Sequence, residues 1–308
     1  MSLSIIIPYD SSSLEDLNTS LTIIDNQLKM DWSSKKVEII LVHDENTADI
    51  DTSVYPQIGN YISQISYEGT DAARKQYALT FSSNDYVIFL PTNICFYSMV
   101  SISDILEIIK RNPRDIYFFG VVDGEKRDSS NEQQIRDQKN DLIGKAFSRS
   151  FIENTGLSFY SHLPCYEDVT FAKMALANHP QYQYSKAPTF IMMHSVADIS
   201  YIKYVYSHLD GEFAAIATAA RKDNFRTQRE IVSLCYSVYC NLSKIDDQDL
   251  KQKITNLLAS YILTLSETIV LKDVFGLNFS GLNITYTNLD GEITFEEFMH
   301  KVLEAVNE

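Results

Sequence analysis

Glu167 and Asp168 stand side by side at the head of a stretch whose apolar residues recur at helical spacing. Adjacent carboxylates in such a place are suited to proton transfer, although the helix macrodipole alone also favours acids in a first turn. His43, Asp44, Glu45 and Asn46 close a continuous apolar run, Val37, Ile39, Ile40, Leu41 and Val42. In open α/β sheets ligands bind at that end of a strand. Pro8 and Tyr9 end an earlier run, where a strand terminator followed by a core aromatic is the plain alternative to a binding edge. Arg74 carries a fixed fork of donors that suits an anionic group, and a surface salt bridge would use it equally well. Pro91, Thr92 and Asn93 close a third run. The Asn93 side chain offers a neutral carbonyl oxygen that brings no charge. His194 follows the last run and is a further candidate for cation or phosphate contact, against the ordinary case of a satisfied structural imidazole.

The elements that must position these residues follow from periodicity. Short β-branched runs alternate with amphipathic stretches over the first 200 residues, which predicts an α/β fold with a parallel sheet flanked by helices. Strands are expected over 4–7, 37–42, 61–67, 86–90, 116–122 and 187–193. Helices are expected over 14–28, 70–81, 143–159 and 166–176. Residues 123–141 are polar without an apolar period and read as a solvated loop, or as a lid over a ligand site. From residue 201 the pattern becomes helical without strands, with apolar faces such as Ile231, Leu234, Val238 and Leu242, and then Leu250, Ile254, Leu257 and Leu258. Two regions are therefore expected, 1–200 and a helical C-terminal region over 201–308. Residues 286–297 partly match an EF-hand loop, but Tyr286 at the first ligand position offers no suitable oxygen, so a turn is the better reading.

Composition bounds what the chain does. Of 308 residues 45% are hydrophobic and 12% aromatic, enough for a buried core. With 26 basic and 41 acidic residues the formal net charge is −15, which repels phosphate backbones and makes nucleic acid an unfavourable partner. The four cysteines form no CxxC pair, and no apolar run reaches about 18 residues. Reduced thiols, a cytoplasmic location and no membrane span are expected.

Taken in order, four segments carry a resemblance. They are Ser4 to Asp10; Glu38 to Asn46; Gly69 with Ala73-Arg74-Lys75 running on to Tyr86-Val87-Ile88-Phe89-Leu90-Pro91-Thr92-Asn93; and Gly144-Lys145-Ala146-Phe147-Ser148-Arg149 followed by Gly156 to Phe159 and Glu167-Asp168-Val169-Thr170-Phe171. Over roughly the first 200 residues this series resembles the family 2 glycosyltransferases of GT-A fold. The resemblance implies a nucleotide-sugar co-substrate, with a UDP-sugar expected, and an acceptor hydroxyl on a glycan or glycoprotein. It implies that Pro8 and Tyr9 line the base pocket, that Asp44 accepts a hydrogen bond from the base with His43 in place of a first acid, and that Arg74 meets the diphosphate. It also implies that Asp168, beside Glu167, is the general base of an inverting displacement. At Thr92-Asn93 the chain departs from the Asp-x-Asp pattern of that family, so either a Mn²⁺ or Mg²⁺ ion rests weakly on Asn93 with help from the diphosphate and His194, or Arg or Lys neutralises the phosphates without a metal. The same departure leaves open a non-catalytic binding or assembly protein that engages a partner, or itself, through its C-terminal helices. Sugar transfer to a modified DNA base is a further, less favoured reading.

Overall fold

Four short runs open the sheet, the first, second and fourth apolar and buried, the third more polar. In the computed structural model β1 (Leu3–Pro8), β2 (Val37–His43), β3 (Ile62–Ser66) and β4 (Tyr86–Phe89) are parallel, with β1 between β2 and β4 and β3 at the edge. The structure describes residues 1–30, 36–124, 141–161, 163, 165–193, 210–211, 214–215, 247–268, 286–288 and 291–293. The chain divides into two compact units, Met1–Ile199 and Ser200–Glu308.

The first unit continues through β5 (Ile94–Phe96), β6 (Ile116–Asp123), β7 (Lys145–Ser148) and β8 (Tyr182–Met192), completing an eight-stranded sheet of order β3-β2-β1-β4-β7-β6-β8-β5. β7 runs antiparallel between β4 and β6, which makes the sheet mixed. Strand alternation gives its two faces different characters. One face, with Leu3, Ile5, Ile7, Ile39, Leu41, Ile88, Tyr117 and Phe119, is covered by α1 (Leu14–Met30) and α3 (Ser101–Arg111). Leu17, Leu21, Ile24 and Leu28 form the buried stripe of α1. Each such side chain contributes about 1.5–3 kcal/mol of burial. On the other face Phe89, Phe147, Phe159 and Phe171 interlock, with rings 4.3 Å apart and stacked for Phe159 and Phe171 and edge-on at 5.1 Å for Phe89 and Phe159. That cluster seats α2 (Asp71–Phe81), α4 (Arg149–Thr155) and α5 (Glu167–Ala177) around the segment that carries the acidic pair.

Several expectations are corrected. The stretch 143–159 is not one helix: Lys145–Ser148 is a strand because Lys145, Phe147 and their neighbours pair between two other strands, and only Arg149–Thr155 is helical. β8 begins at Tyr182 rather than 187, since its polar first half pairs with β6 at Ile116 to Phe118. The short strand β5 and helix α3 were not anticipated, although Ile102, Ile105, Leu106 and Ile109 recur at helical spacing and are buried. In the second unit α6 (Gln248–Thr268) buries Leu250, Ile254 and Leu258. Strands are also present there: β9 (Tyr286–Asn288) and β10 (Gly291–Ile293) pair antiparallel as a hairpin, with Asn288 opposite Gly291. The apolar face from Ile231 to Leu242 lies outside the described residues, as do residues 125–140. Among the described residues no helix is long and apolar enough to cross a membrane, and Cys95 and Cys165 are buried free thiols.

Candidate functional site

The carboxyl ends of β1 and β2 form a polar corner. The Tyr9 amide donates to the Val42 carbonyl (2.9 Å), which brings the residue after β1 beside the end of β2, and the Tyr9 and His43 rings lie 5.0 Å apart. Tyr9 is buried, and its hydroxyl donates to the Ala48 carbonyl (3.3 Å). Burial, with the charge of Asp49 behind it, pushes that phenol up to about 12, so it remains a donor. His43 is turned inward: Nδ1 donates to the Asp44 carbonyl (2.7 Å) and Nε2 lies 2.8 Å from Asp49 Oδ1. Both neighbours are oxygen acceptors, so the imidazole is held between them. Asp44 accepts from the Thr47 hydroxyl and the Asn46 amide, each at 2.9 Å. The Thr47 hydrogen bond, and more weakly the Arg74 charge, hold its carboxyl below the usual range.

Arg74 reaches this corner from α2. Gly69, at φ +145, makes the turn before the helix in a backbone region that an L side chain rarely adopts. Thr70 caps the helix by accepting from the Ala73 amide (3.2 Å) and donates its hydroxyl to the Ser161 carbonyl (2.6 Å). The Arg74 guanidinium donates to the Gly69 carbonyl (2.9 Å) and pairs with Asp71. Its Nε is buried without a hydrogen-bond partner. A buried unpaired donor is costly, and an anion at this corner would satisfy it.

The next residue of α2 faces a different environment. Lys75 is buried, and its Nζ donates to Glu167 Oε1 (2.8 Å) and Asp168 Oδ1 (2.6 Å). Both acids lie in the first turn of α5, which Tyr166 enters in the left-handed region at φ 70. Nearby, Lys145 Nζ donates to Asp141 Oδ1 (3.3 Å). Gly144, at φ +68, permits that approach, because a Cβ there would stand 2.7 Å from Val121 and 2.8 Å from the Phe119 carbonyl oxygen. The Asp168 side chain keeps 26% of its exposure and Glu167 only 10%. Burial raises Asp168 to about 6; Lys75 pulls it down, while Glu167 and Asp141 push it up. Burial alone would lower Lys75, but the charges of Asp168 and Glu167 outweigh it and hold the ammonium protonated. A carboxylate with that balance and partial access can accept a proton near neutral pH.

Asn93 is buried, and its backbone carbonyl accepts from the Met193 amide (2.9 Å). Thr92 is partly exposed, and its carbonyl accepts from the Ser20 hydroxyl (3.3 Å). His194 lies outside the described residues. Among the described residues no three His, Cys, Asp or Glu side chains cluster as a metal would require. A buried neutral amide is a poor donor set for a divalent cation, so these residues do not fit Mn²⁺ or Mg²⁺. A cleft of about 530 Å³ opens where β4 and β6 begin, the opposite end of the sheet from this corner. Its charged lining is already engaged, Arg149 with Glu153 (2.8 Å) and Arg114 with Gln181 (3.1 Å), so it is not the site.

Pro8, Tyr9, His43, Asp44 and Arg74 thus gather at one corner, and Glu167 with Asp168 at another, with α2 contributing to both. Lys75, Lys145 and Asp141 lie with the acidic pair without having been anticipated there. A signal existed for Lys75: Ala72, Lys75, Ala78 and Leu79 form the buried stripe of α2, a place where a lysine needs a carboxylate partner.

No family model matches the chain, and no curated protein matches it. Solved structures do. S. aureus TarS 1-349 aligns with a TM-score of 0.64 and 13% identity over 85% of this chain and 80% of that one. Its complex with UDP-GlcNAc gives a TM-score of 0.62 at 13% identity over 85% and 81%. The mannosyltransferase PcManGT from Pyrobaculum calidifontis, in complex with GDP-Man and Mn²⁺, gives 0.53 at 11% identity over 99% and 85%. The chain has the GT-A type of fold, an α/β sheet flanked by helices.

Proposed function

We propose that this chain is a glycosyltransferase that moves a sugar from a nucleoside diphosphate donor, a UDP-sugar, to a hydroxyl of a glycan or glycoprotein. The carrying observation is that consecutive residues of α2 serve two sites: Arg74 bears on Asp44 with its Nε unpaired, and Lys75 holds Asp168. In this reading the base sits against Tyr9 and Asp44, and the diphosphate accepts from Arg74. Asp168 takes the proton of the acceptor hydroxyl, whose oxygen forms a bond to the anomeric carbon. The bond from that carbon to the donor's phosphate oxygen breaks, and its electron pair leaves with the nucleoside diphosphate, inverting the centre. Fold-level likeness to proteins solved with UDP-GlcNAc and GDP-Man supports the donor class. No step runs through a metal, because Asn93, a buried neutral amide, fits Mn²⁺ or Mg²⁺ poorly. Residues 1–200 would hold the whole reaction, and residues 201–308 would serve the acceptor, a protein partner or self-association.

Asp168→Asn tests the reading. Release of nucleoside diphosphate from the donor should stop while donor binding persists; activity that survives removes Asp168 as base. One observation favours a second reading, a binding or assembly protein without turnover: Asn93 is neutral and buried where the resemblance places a metal-binding acid. Donor binding without any release of the nucleoside diphosphate, in wild type as in the variant, would select it.

A further inference from the structure

The steps proposed above do not say what Lys75, a buried cation that contacts two carboxylates on another helix, does for Asp168. We propose that Lys75 is a positioning residue for the transfer: its ammonium, donating to both Glu167 and Asp168 across the packing of α2 on α5, keeps Asp168 ionised and aimed to receive the acceptor proton. This rests on the reading of Asp168 as the base.

The geometry carries it. Asp168 Oδ1 is fixed by Lys75 at 2.6 Å, which leaves Oδ2 as the oxygen that takes the proton. Glu167, nearly enclosed, occupies a second donor of the same ammonium and so anchors the lysine rather than reacting. The titratable groups acting on Asp168 come from three elements: Lys75 of α2, Glu167 of α5 itself, and Asp141 with Lys145 at the start of β7. Two cations against three carboxylates leave one negative charge, and one proton from an acceptor makes the cluster neutral. Without Lys75 the same groups would hold two negative charges in a dry place, and a proton would bind in the resting state. Asp168 would then be a neutral acid before the acceptor arrived. A lysine suits this task, since its compact ammonium presents three donors and can serve two carboxylates at once.

The test is a ¹³C NMR titration of the aspartate carboxyls in the full chain, with Asp168→Asn to assign the signal, for wild type, Lys75→Met and Lys75→Arg. Removing the cation should move Asp168 titration up by at least about one pH unit, and arginine should restore most of it. The acid limb of the rate of nucleoside diphosphate release should move the same way, with about a tenfold loss in kcat per unit below that limb and a smaller change in KM. Should Lys75→Met fail to fold, Lys75→Gln keeps a hydrogen-bond donor without the charge and reads the same shift. An Asp168 titration unchanged in a folded, active Lys75→Met or Lys75→Gln chain overturns the role of Lys75 and leaves the base assignment standing. An NMR shift accompanied by no release of nucleoside diphosphate from wild type overturns the transfer reading, and Lys75's part in it falls with that reading.

Discussion

Adjacent residues of α2 meet two different environments. Arg74, itself mostly enclosed, bears on Asp44, whose partly exposed carboxylate is satisfied by the Thr47 hydroxyl and the Asn46 amide of its own loop. Lys75 faces a closed cluster whose charges come from distant parts of the chain, 92 and 93 residues away. Charges are screened at the first and costly to unbalance at the second. In the proposed reading, recognition and proton transfer fall to neighbouring residues of one helix: the side of Asp44 would discriminate a ligand, and the side of Asp168 would tune a proton affinity.

The largest effect should come from the closed side. Asp168→Asn should lower transfer by roughly 10²–10⁴-fold with nucleotide affinity unchanged, measured by diphosphate release and calorimetry on one sample. A matching loss of affinity would merge the two environments into one. Next comes the bridge between them: Arg74→Met should weaken UDP binding about 10- to 100-fold yet leave uridine binding nearly as it was. Asp44→Asn should cost about tenfold in affinity for the base and lower the melting temperature at neutral pH only slightly, because the group is solvated.

A pH series sharpens the contrast further. Asp168 is raised from 3.8 to about 6 in the folded state, so the folded chain binds more protons there than the unfolded one between those values. That group's contribution to stability therefore falls as pH rises through this window and is most favourable below it. Asp44 and Asp10, both lowered, act in the opposite direction, with stability present above the unfolded value and lost on acidification. The difference in melting temperature between wild type and Asp168→Asn should thus change by a few degrees between about pH 4 and pH 7. The corresponding difference for Asp44→Asn should change below pH 4 instead. The smallest effect is expected at Asn93. Asn93→Asp should raise Mn²⁺ affinity modestly if the side chain faces the diphosphate, and unchanged affinity in a calorimetric titration would take it out of the site.

Much of the first unit was legible because its strands are continuous apolar runs and α1 and α2 have plain stripes. The stretch 143–159 misled because Ile143, Phe147, Phe151 and Ile152 mimic a helical period, while the fold needs a strand between β4 and β6. Asp44, Arg74, Glu167 and Asp168 were found as residue types at strand and helix ends. Their partners were not, since Lys75 with Glu167, and Lys145 with Asp141, are chosen by tertiary packing and leave only the trace of a lysine on an apolar stripe or after a glycine. The hairpin at 286–293 was missed for a similar reason, its strands being three residues long.

The central claim, that the open corner beside Arg74 holds a nucleoside diphosphate, is tested most directly by calorimetric titration of UDP, GDP, dTDP and their common sugars into wild type and Arg74→Met, with and without Mn²⁺. The account predicts that one nucleotide binds, that Mn²⁺ changes its affinity little, and that Arg74→Met weakens it. Folded wild-type protein that binds none of them would contradict it.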